Sequence, residues 1–259
     1  MSAYNLEYEM RLRTSRGRSR EALEQLFNVP EENSLVKIAD RSHMQKLPII
    51  IILNGAGAVG KDTFVDDFTD VASTNSRVSR VMRLSTVDLV YTAVNMVLLM
   101  EDIREDGDHV RASIQKSVKE KDDPWRQFMN DVKMAWSRYC DGPRQYIMNR
   151  VIDIVKTNRF IEYIFIYSRE SPEINSFVEL FNNAGFLVTT LFMYGRKNAE
   201  DWQNDCDSQV ADGKVHYDYQ IGNTGTLEDL NAAAVEYYNK LSTIYESEYY
   251  DNWIYSETE

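Results

Sequence analysis

The chain has 259 residues, with 41 Asp or Glu against 29 Lys or Arg, giving a formal net charge of −12. A hydrophobic fraction of 43% excludes a disordered chain, 11 Gly and 5 Pro exclude a collagen-like or low-complexity one, and 2 Cys exclude a disulfide scaffold. The acidic balance argues against indiscriminate polyanion binding, because phosphate backbones are held mainly by basic surface, but it leaves room for a local basic site.

The N-terminus MSAYNLEYEM lacks the basic-then-apolar pattern of a signal peptide. The apolar runs Pro48–Leu53 and Met96–Met100 are too short to cross a bilayer. Cys140 and Cys206 lie far apart and read as free thiols of a reducing compartment. A soluble cytoplasmic protein with no membrane partner is expected, and the sequence leaves its oligomeric state open.

Residues 1–46 read as an N-terminal extension. Arg11, Arg13, Arg16, Arg18 and Arg20 crowd one segment, and SREALEQLF follows as a short helical stripe. The cluster reads as a solvated arm, as a phosphate or nucleic-acid contact, or as a segment docked on acidic surface. The main domain spans 47–244. It opens with LPIIIILN, a continuous β-branched run suited to a strand buried on both faces. A helix follows with Phe64, Val65, Phe68, Val71 and Ala72 on one face. Arg77–Leu84 reads as a second strand, in which Val78 and Val81 are off-phase, and Val87–Met100 as a helix. Residues 101–155 read as a helical excursion: a polar stretch to Asp123, a helix over Trp125–Tyr139 with Phe128, Val132, Ala135, Trp136 and Tyr139 as its apolar stripe, a stop at Asp141-Gly-Pro, and a helix over Tyr146–Val155.

Phe160–Tyr167 and Phe186–Tyr194 are further buried strands, separated by a helix over Glu173–Asn183 that Gly185 stops. His216–Ile221 is a last short strand before a helix over Leu227–Tyr245. The acidic, aromatic tail 245–259 is read as helix packing with a frayed end, or as a docking tail for a partner. Buried strands alternating with helices predict an α/β fold with about five parallel strands and helices on both faces.

The chemistry resides in Gly55-Ala56-Gly57-Ala58-Val59-Gly60-Lys61-Asp62-Thr63. It fits G-x-x-x-x-G-K, with Asp where the pattern prefers Ser or Thr, and it lies between a predicted buried strand and an amphipathic helix as that pattern requires. Glycines let the backbone wrap a phosphate chain with N–H groups inward. The helix start offers further N–H groups and a positive dipole end. Lys61 can neutralise charge on the outer phosphates, Asp62 can ligate Mg²⁺ through oxygen, and Thr63 can supply a hydroxyl.

Other candidates belong at strand C-terminal ends, where open parallel sheets bind ligands. These are Arg83, Ser85, Thr86 and Asp88 after the second strand, Ser168, Arg169, Glu170 and Glu173 after the third, and Gly195, Arg196 and Lys197 after the fourth. Each also reads as a solvated charge or a helix cap. Together they suit phosphoryl transfer, in which a protein mainly positions groups and neutralises charge. His43, His109 and His216 share no metal-ligand spacing with the cysteines, and no G-x-S-x-G element is present.

With G-x-x-x-x-G-K-D-T, Arg169 and Glu173 after one strand, Arg196 after the next, and the ending YDYQIGNTGTLEDL, the chain resembles the P-loop nucleotide kinases, and among them the phage deoxynucleoside monophosphate kinases. Asp218, Ile221, Asn223, Gly225, Leu227 and Leu230 match that family's late segment, and the resemblance covers about Leu47–Leu241. It implies a three-layer fold with strand order 2-3-1-4-5 and transfer of the ATP γ-phosphoryl group with Mg²⁺. It implies catalytic roles for Lys61, Arg169 and Arg196, with Arg196 opening a lid over 197–215. Arg83, Ser85 and Asp88 would face the acceptor nucleotide, with Lys133 a further acceptor-site candidate.

Tyr167 departs from the resemblance, standing where the family places an Asp near the metal. Two alternatives accompany the kinase reading. Related phage kinases phosphorylate 5-hydroxymethyluracil in DNA, a substrate that would employ the Arg-rich arm but would face the lid acids Glu200, Asp201, Asp205, Asp207 and Asp212. The other is a nucleotide-binding interaction protein without catalysis.

Overall fold

A computed structural model describes residues 47–75, 80–90, 123–157, 160–195 and 215–256. Among them, those of Val87–Tyr146 form one compact unit, and those of Glu32–Thr86 and Ile147–Glu259 form another. The expected N-terminal arm, the polar part of the excursion, Arg196 and nearly all of the lid lie outside the described residues.

In the larger unit, β1 is Ile49–Gly55, α1 is Lys61–Asn75 and β2 is Arg80–Ser85. The chain returns to it through a helix that begins in the smaller unit, then through β3 (Ile161–Tyr167), a helix over Ser171–Asn183, β4 (Val188–Tyr194), β5 (Tyr219–Gly222) and a long helix over Leu227–Ser256. The smaller unit contains α2 (Asp123–Cys140) and the start of α3 (Gly142–Thr157), which makes the two later helices α4 and α5.

The five strands form one all-parallel sheet in the order β2-β3-β1-β4-β5, matching the predicted class and order. β1 lies at the centre because its isoleucine run can be buried on both faces, and every residue of it is buried. Ile49, Ile51 and Leu53 join Tyr163, Phe165, Leu191 and Met193 in a core with Phe64, Val65 and Phe68 of α1 and Leu230, Ala234, Tyr237 and Leu241 of α5. Strand alternation sends Ile50, Ile52, Ile164 and Ile166, equally buried, to the opposite face. Ile174, Phe177 and Phe181 of α4 are buried outside the first core, and α4 packs on β1 and β4.

Phe68 is the aromatic hub. It meets Tyr163 and Phe165 edge-on at 5.1 Å each and Tyr238 at 5.5 Å. Such edge-to-face contacts set a positive ring edge against a negative ring face.

Several boundaries differ from the sequence reading. β5 starts at Tyr219 rather than His216, because Asp218 replaces a ladder bond with its side chain. Its carboxylate accepts the Thr190 amide at 2.8 Å and the Thr190 hydroxyl at 2.9 Å. α5 continues past Tyr245 to Ser256, since no Gly or Pro interrupts that stretch. The α2 stripe is corrected more substantially. Phe128 is 47% exposed, Tyr139 is 89% exposed and Ala135 is exposed, while Met129 and Lys133 are buried. The inward face of α2 thus carries a lysine, whose four-carbon stem can lie against apolar neighbours. Asp141, at φ +54°, separates α2 from α3, and its carbonyl accepts the Gln145 amide as an N-cap would.

Candidate functional site

The Gly-rich segment is the turn from the central strand into α1. β1 ends at Gly55, and α1 starts at Lys61 with the Phe64 amide bonded to the Gly60 carbonyl at 3.0 Å. Residues Ala56–Gly60 make the turn between them. Gly60 adopts φ +92°, where side chains are strained, and a Cβ there would meet Asn223 Nδ2 at 2.5 Å. A Cβ on Gly55 would meet the Met193 carbonyl oxygen at 2.6 Å. Ala58 adopts φ +60° although it is not glycine.

Lys61 folds back over this turn. Its Nζ donates to the carbonyls of Gly55 and Ala56, each at 2.7 Å. The ammonium is therefore held at the mouth of the turn, beside the first amides of α1, which have no acceptor within the helix. Asp62 and Thr63 are exposed in that first turn. The ammonium and the helix dipole bring positive charge to the turn, which suits an anion, while Asp62 sets a carboxylate in the same first turn.

Two buried asparagines secure the ends of the turn. Asn54 Oδ1 accepts the Gly55 amide, and Asn54 Nδ2 donates to the Tyr217 hydroxyl, both at 2.6 Å. Asn223 Nδ2 donates to the Val59 carbonyl at 2.9 Å, and the Asn223 amide donates to the Tyr194 carbonyl at 2.7 Å.

No known protein-family model matches the chain, and no curated protein matches it. The site's chemistry therefore rests on its own geometry.

The strand ends beside the loop are level. Leu53, Tyr167 and Ser85 share one register row, the Ser168 amide donates to the Leu53 carbonyl at 3.2 Å, and the Thr86 amide reaches the Tyr167 carbonyl. This row sets Ser85, Ser168 and Arg169 at the C-terminal edge. Ser168 is buried and its hydroxyl donates to the Glu173 carboxylate. Arg83 pairs with Asp66 of α1, so part of its charge is committed within the protein. Asp88 and Lys133 belong to the smaller unit, where Asp88 is exposed near a helix start and Lys133 is 4% exposed.

Tyr167 stands in the midst of these charges. Its hydroxyl is buried, and its pKa is pushed well above the ordinary phenol value of 10.0. Burial is the main cause, the Asp62 charge adds to it, and Arg83 opposes it. The Asp62 carboxylate thus lies close enough to the phenol to favour its protonated form. Tyr167 stays neutral across the physiological range and brings no second negative charge beside Asp62.

Sequence reasoning identified the loop and Lys61 but assigned no role to Asn54, Asp66 or Tyr217, and took Asn223 only as a motif match. A polar residue interrupting an apolar strand was the available signal for Asn54. The others depend on contacts distant in sequence, which leave no local pattern.

The residues fit a nucleotide triphosphate chain in their donor set: backbone amides in a turn that needs glycine, plus one ammonium. Among the described residues, no group of three or more His, Cys, Asp or Glu is placed to hold a metal. Asp62, exposed in the first turn of α1, is the carboxylate that would meet a Mg²⁺ ion held by nucleotide oxygens and water.

Proposed function

We propose that this chain is an ATP- and Mg²⁺-dependent kinase that phosphorylates a (deoxy)nucleoside monophosphate or similar nucleotide, built on a three-layer P-loop kinase fold. The observation that carries the reading is the Lys61 ammonium anchored on the Gly55 and Ala56 carbonyls, between a central parallel strand and a helix N-terminus. ATP supplies the phosphoryl group and Mg²⁺ offsets phosphate charge. The loop amides would orient the β and γ phosphates, and Lys61 would stabilise charge on the oxygens during transfer. Arg169, at the end of β3, would bind the acceptor or the transferring group. Arg196 would act from the lid, and Ser85 with the fraction of Arg83 charge left by Asp66 would meet the acceptor phosphate.

An ADP-release assay over a panel of ribo- and deoxynucleoside monophosphates, run beside hydroxymethylated DNA, tests this reading. ADP release that depends on one or a few free nucleotides and on Mg²⁺ is expected. Transfer of labelled phosphate to DNA alone would replace the substrate with modified bases in DNA. Tyr167 favours a second reading, in which the chain binds nucleotide without catalysis, because a neutral phenol replaces the carboxylate expected near the metal. Tight ATP binding with no acceptor phosphorylated would establish that reading instead.

A further inference from the structure

The short edge strand β5 is bonded to the Gly-rich loop at both of its ends. Tyr217 lies two residues before it, and its hydroxyl accepts from Asn54, whose own Oδ1 accepts the Gly55 amide. Asn223 directly follows it, and its amide group donates to the Val59 carbonyl. Asn223 is 2% exposed, and among the described residues no polar group bonds its Oδ1. Its amide nitrogen therefore supplies the side chain's described hydrogen bond, and that bond goes to the loop.

The consequence follows from peptide geometry. A trans peptide unit is planar, with C=O and N–H pointing to opposite sides. No cis peptide occurs among the described residues. When Asn223 holds the Val59 carbonyl, the Gly60 N–H is turned away from Asn223. Gly60 is free to take φ +92°, and a side chain there would collide with Asn223. At the other end, Asn54 takes up the Gly55 N–H, so the anion-facing amides begin after Gly55. The two clamps set which loop amides face a bound anion and which do not.

We propose that Asn223 and Tyr217 are positioning residues of the phosphate-binding loop, with β5 acting as the rigid spacer between their two clamps. They touch no substrate. They hold the Val59–Gly60 peptide and the Gly55 amide in the orientation that nucleotide phosphates require, so the loop is preformed rather than assembled on binding. The proposal rests on the nucleotide-binding part of the proposed function, whose failure the experiment reads separately.

Isothermal titration with Mg-ATP and amide hydrogen exchange over residues 55–61 are measured on the unsubstituted chain, on Asn223→Asp, Asn223→Ala and Tyr217→Phe. Asn223→Asp keeps the shape of the side chain but sets a carboxylate oxygen against the Val59 carbonyl. About a tenfold loss of ATP affinity is expected for each Asn223 variant, together with faster exchange in the loop of the nucleotide-free protein and a smaller change in the remaining core amides. Tyr217→Phe removes one oxygen atom and should speed exchange of the Gly55 and Ala56 amides selectively. A nucleotide-free loop that exchanges at the unsubstituted rate in folded Asn223 variants, with ATP affinity unchanged, would overturn the proposal. If both Asn223 variants fail to fold, Tyr217→Phe decides, and unchanged exchange at Gly55 counts against it. An unsubstituted chain that binds no Mg-ATP would sink the nucleotide reading itself, whereas the exchange data would still judge the clamps.

Discussion

The Lys61 ammonium lies 2.7 Å from the carbonyl oxygen of Gly55, six residues earlier, and so spans the whole Gly-rich turn. A bridge of this kind prepositions a positive charge at the turn while the side chain remains only half-buried. Lys61→Ala should leave the fold intact, with unfolding free energy lowered by no more than about 1–2 kcal/mol, because two partly solvated hydrogen bonds are lost. Turnover should fall by about 10²–10³, the usual consequence of removing one preorganised charge stabiliser. Lys61→Arg should not restore it, since a planar guanidinium cannot occupy the compact seat between the two carbonyls. Far-UV circular dichroism with ADP release checks both expectations, and near-normal turnover in the alanine variant would dismiss the loop as the phosphate site.

Ala58 occupies the left-handed region at φ +60° and is exposed, so its strain is local and no packing depends on its methyl group. Holding a Cβ there costs about 1–2 kcal/mol, and glycine adds about 0.4–1 kcal/mol of unfolded-state entropy. Ala58→Gly should therefore raise stability by about 0.5–1 kcal/mol, seen as a higher denaturant midpoint at constant slope. Glycine also loosens the loop, so ATP affinity should fall slightly as stability rises. A destabilised variant would contradict the strained assignment.

The sheet was legible because its signal is local. Four consecutive isoleucines before a Gly-rich turn specify a central strand wherever the rest of the chain goes, and Lys61 follows at fixed spacing. Asn223 and Tyr217 were not legible as loop partners, because their contacts are with Val59 and Asn54 across more than 160 residues. α2 shows the opposite failure. Its aromatic residues recur at helical spacing, yet the buried side is shared by Met129 and Lys133. Counting apolar residues favours the face with more rings, while the neighbours decide which face is covered.

That correction can be tested against the core. Phe68 is fully buried among Tyr163, Phe165 and Tyr238, whereas Phe128 is 47% exposed. Phe68→Ala should cost about 3–5 kcal/mol through lost burial and the cavity left behind. Phe128→Ala should cost much less, no more than about 1.5 kcal/mol, because that side chain is 47% exposed and less of its surface is lost from burial. Urea unfolding of the two variants separates the cases, and a large loss at Phe128 would return it to a packed face.

Tyr167 and Tyr237 give the protein a characteristic response to alkali. Burial is the leading cause that raises the pKa of each phenol far above 10.0, and Asp62 adds to the effect at Tyr167. Above pH 10 the unfolded chain loses these protons while the folded chain keeps them. The folded state then binds more protons, so stability must fall as pH rises; below pH 10 both states are protonated and the groups contribute no slope. Each phenol can steepen the decline by up to about 1.4 kcal/mol per pH unit. Tyr167→Phe removes one such group along with its buried hydroxyl. It should stay within about 1 kcal/mol of the unsubstituted chain at pH 8, and its relative stability should rise from pH 10 upward. Asp62→Asn, by removing the neighbouring negative charge, should make the Tyr167 phenol easier to ionise and the alkaline decline shallower. Urea unfolding from pH 8 to 11.5 measures all three proteins. Parallel curves for the unsubstituted chain and Tyr167→Phe above pH 10 would show that Tyr167 is not the buried, neutral group beside Asp62.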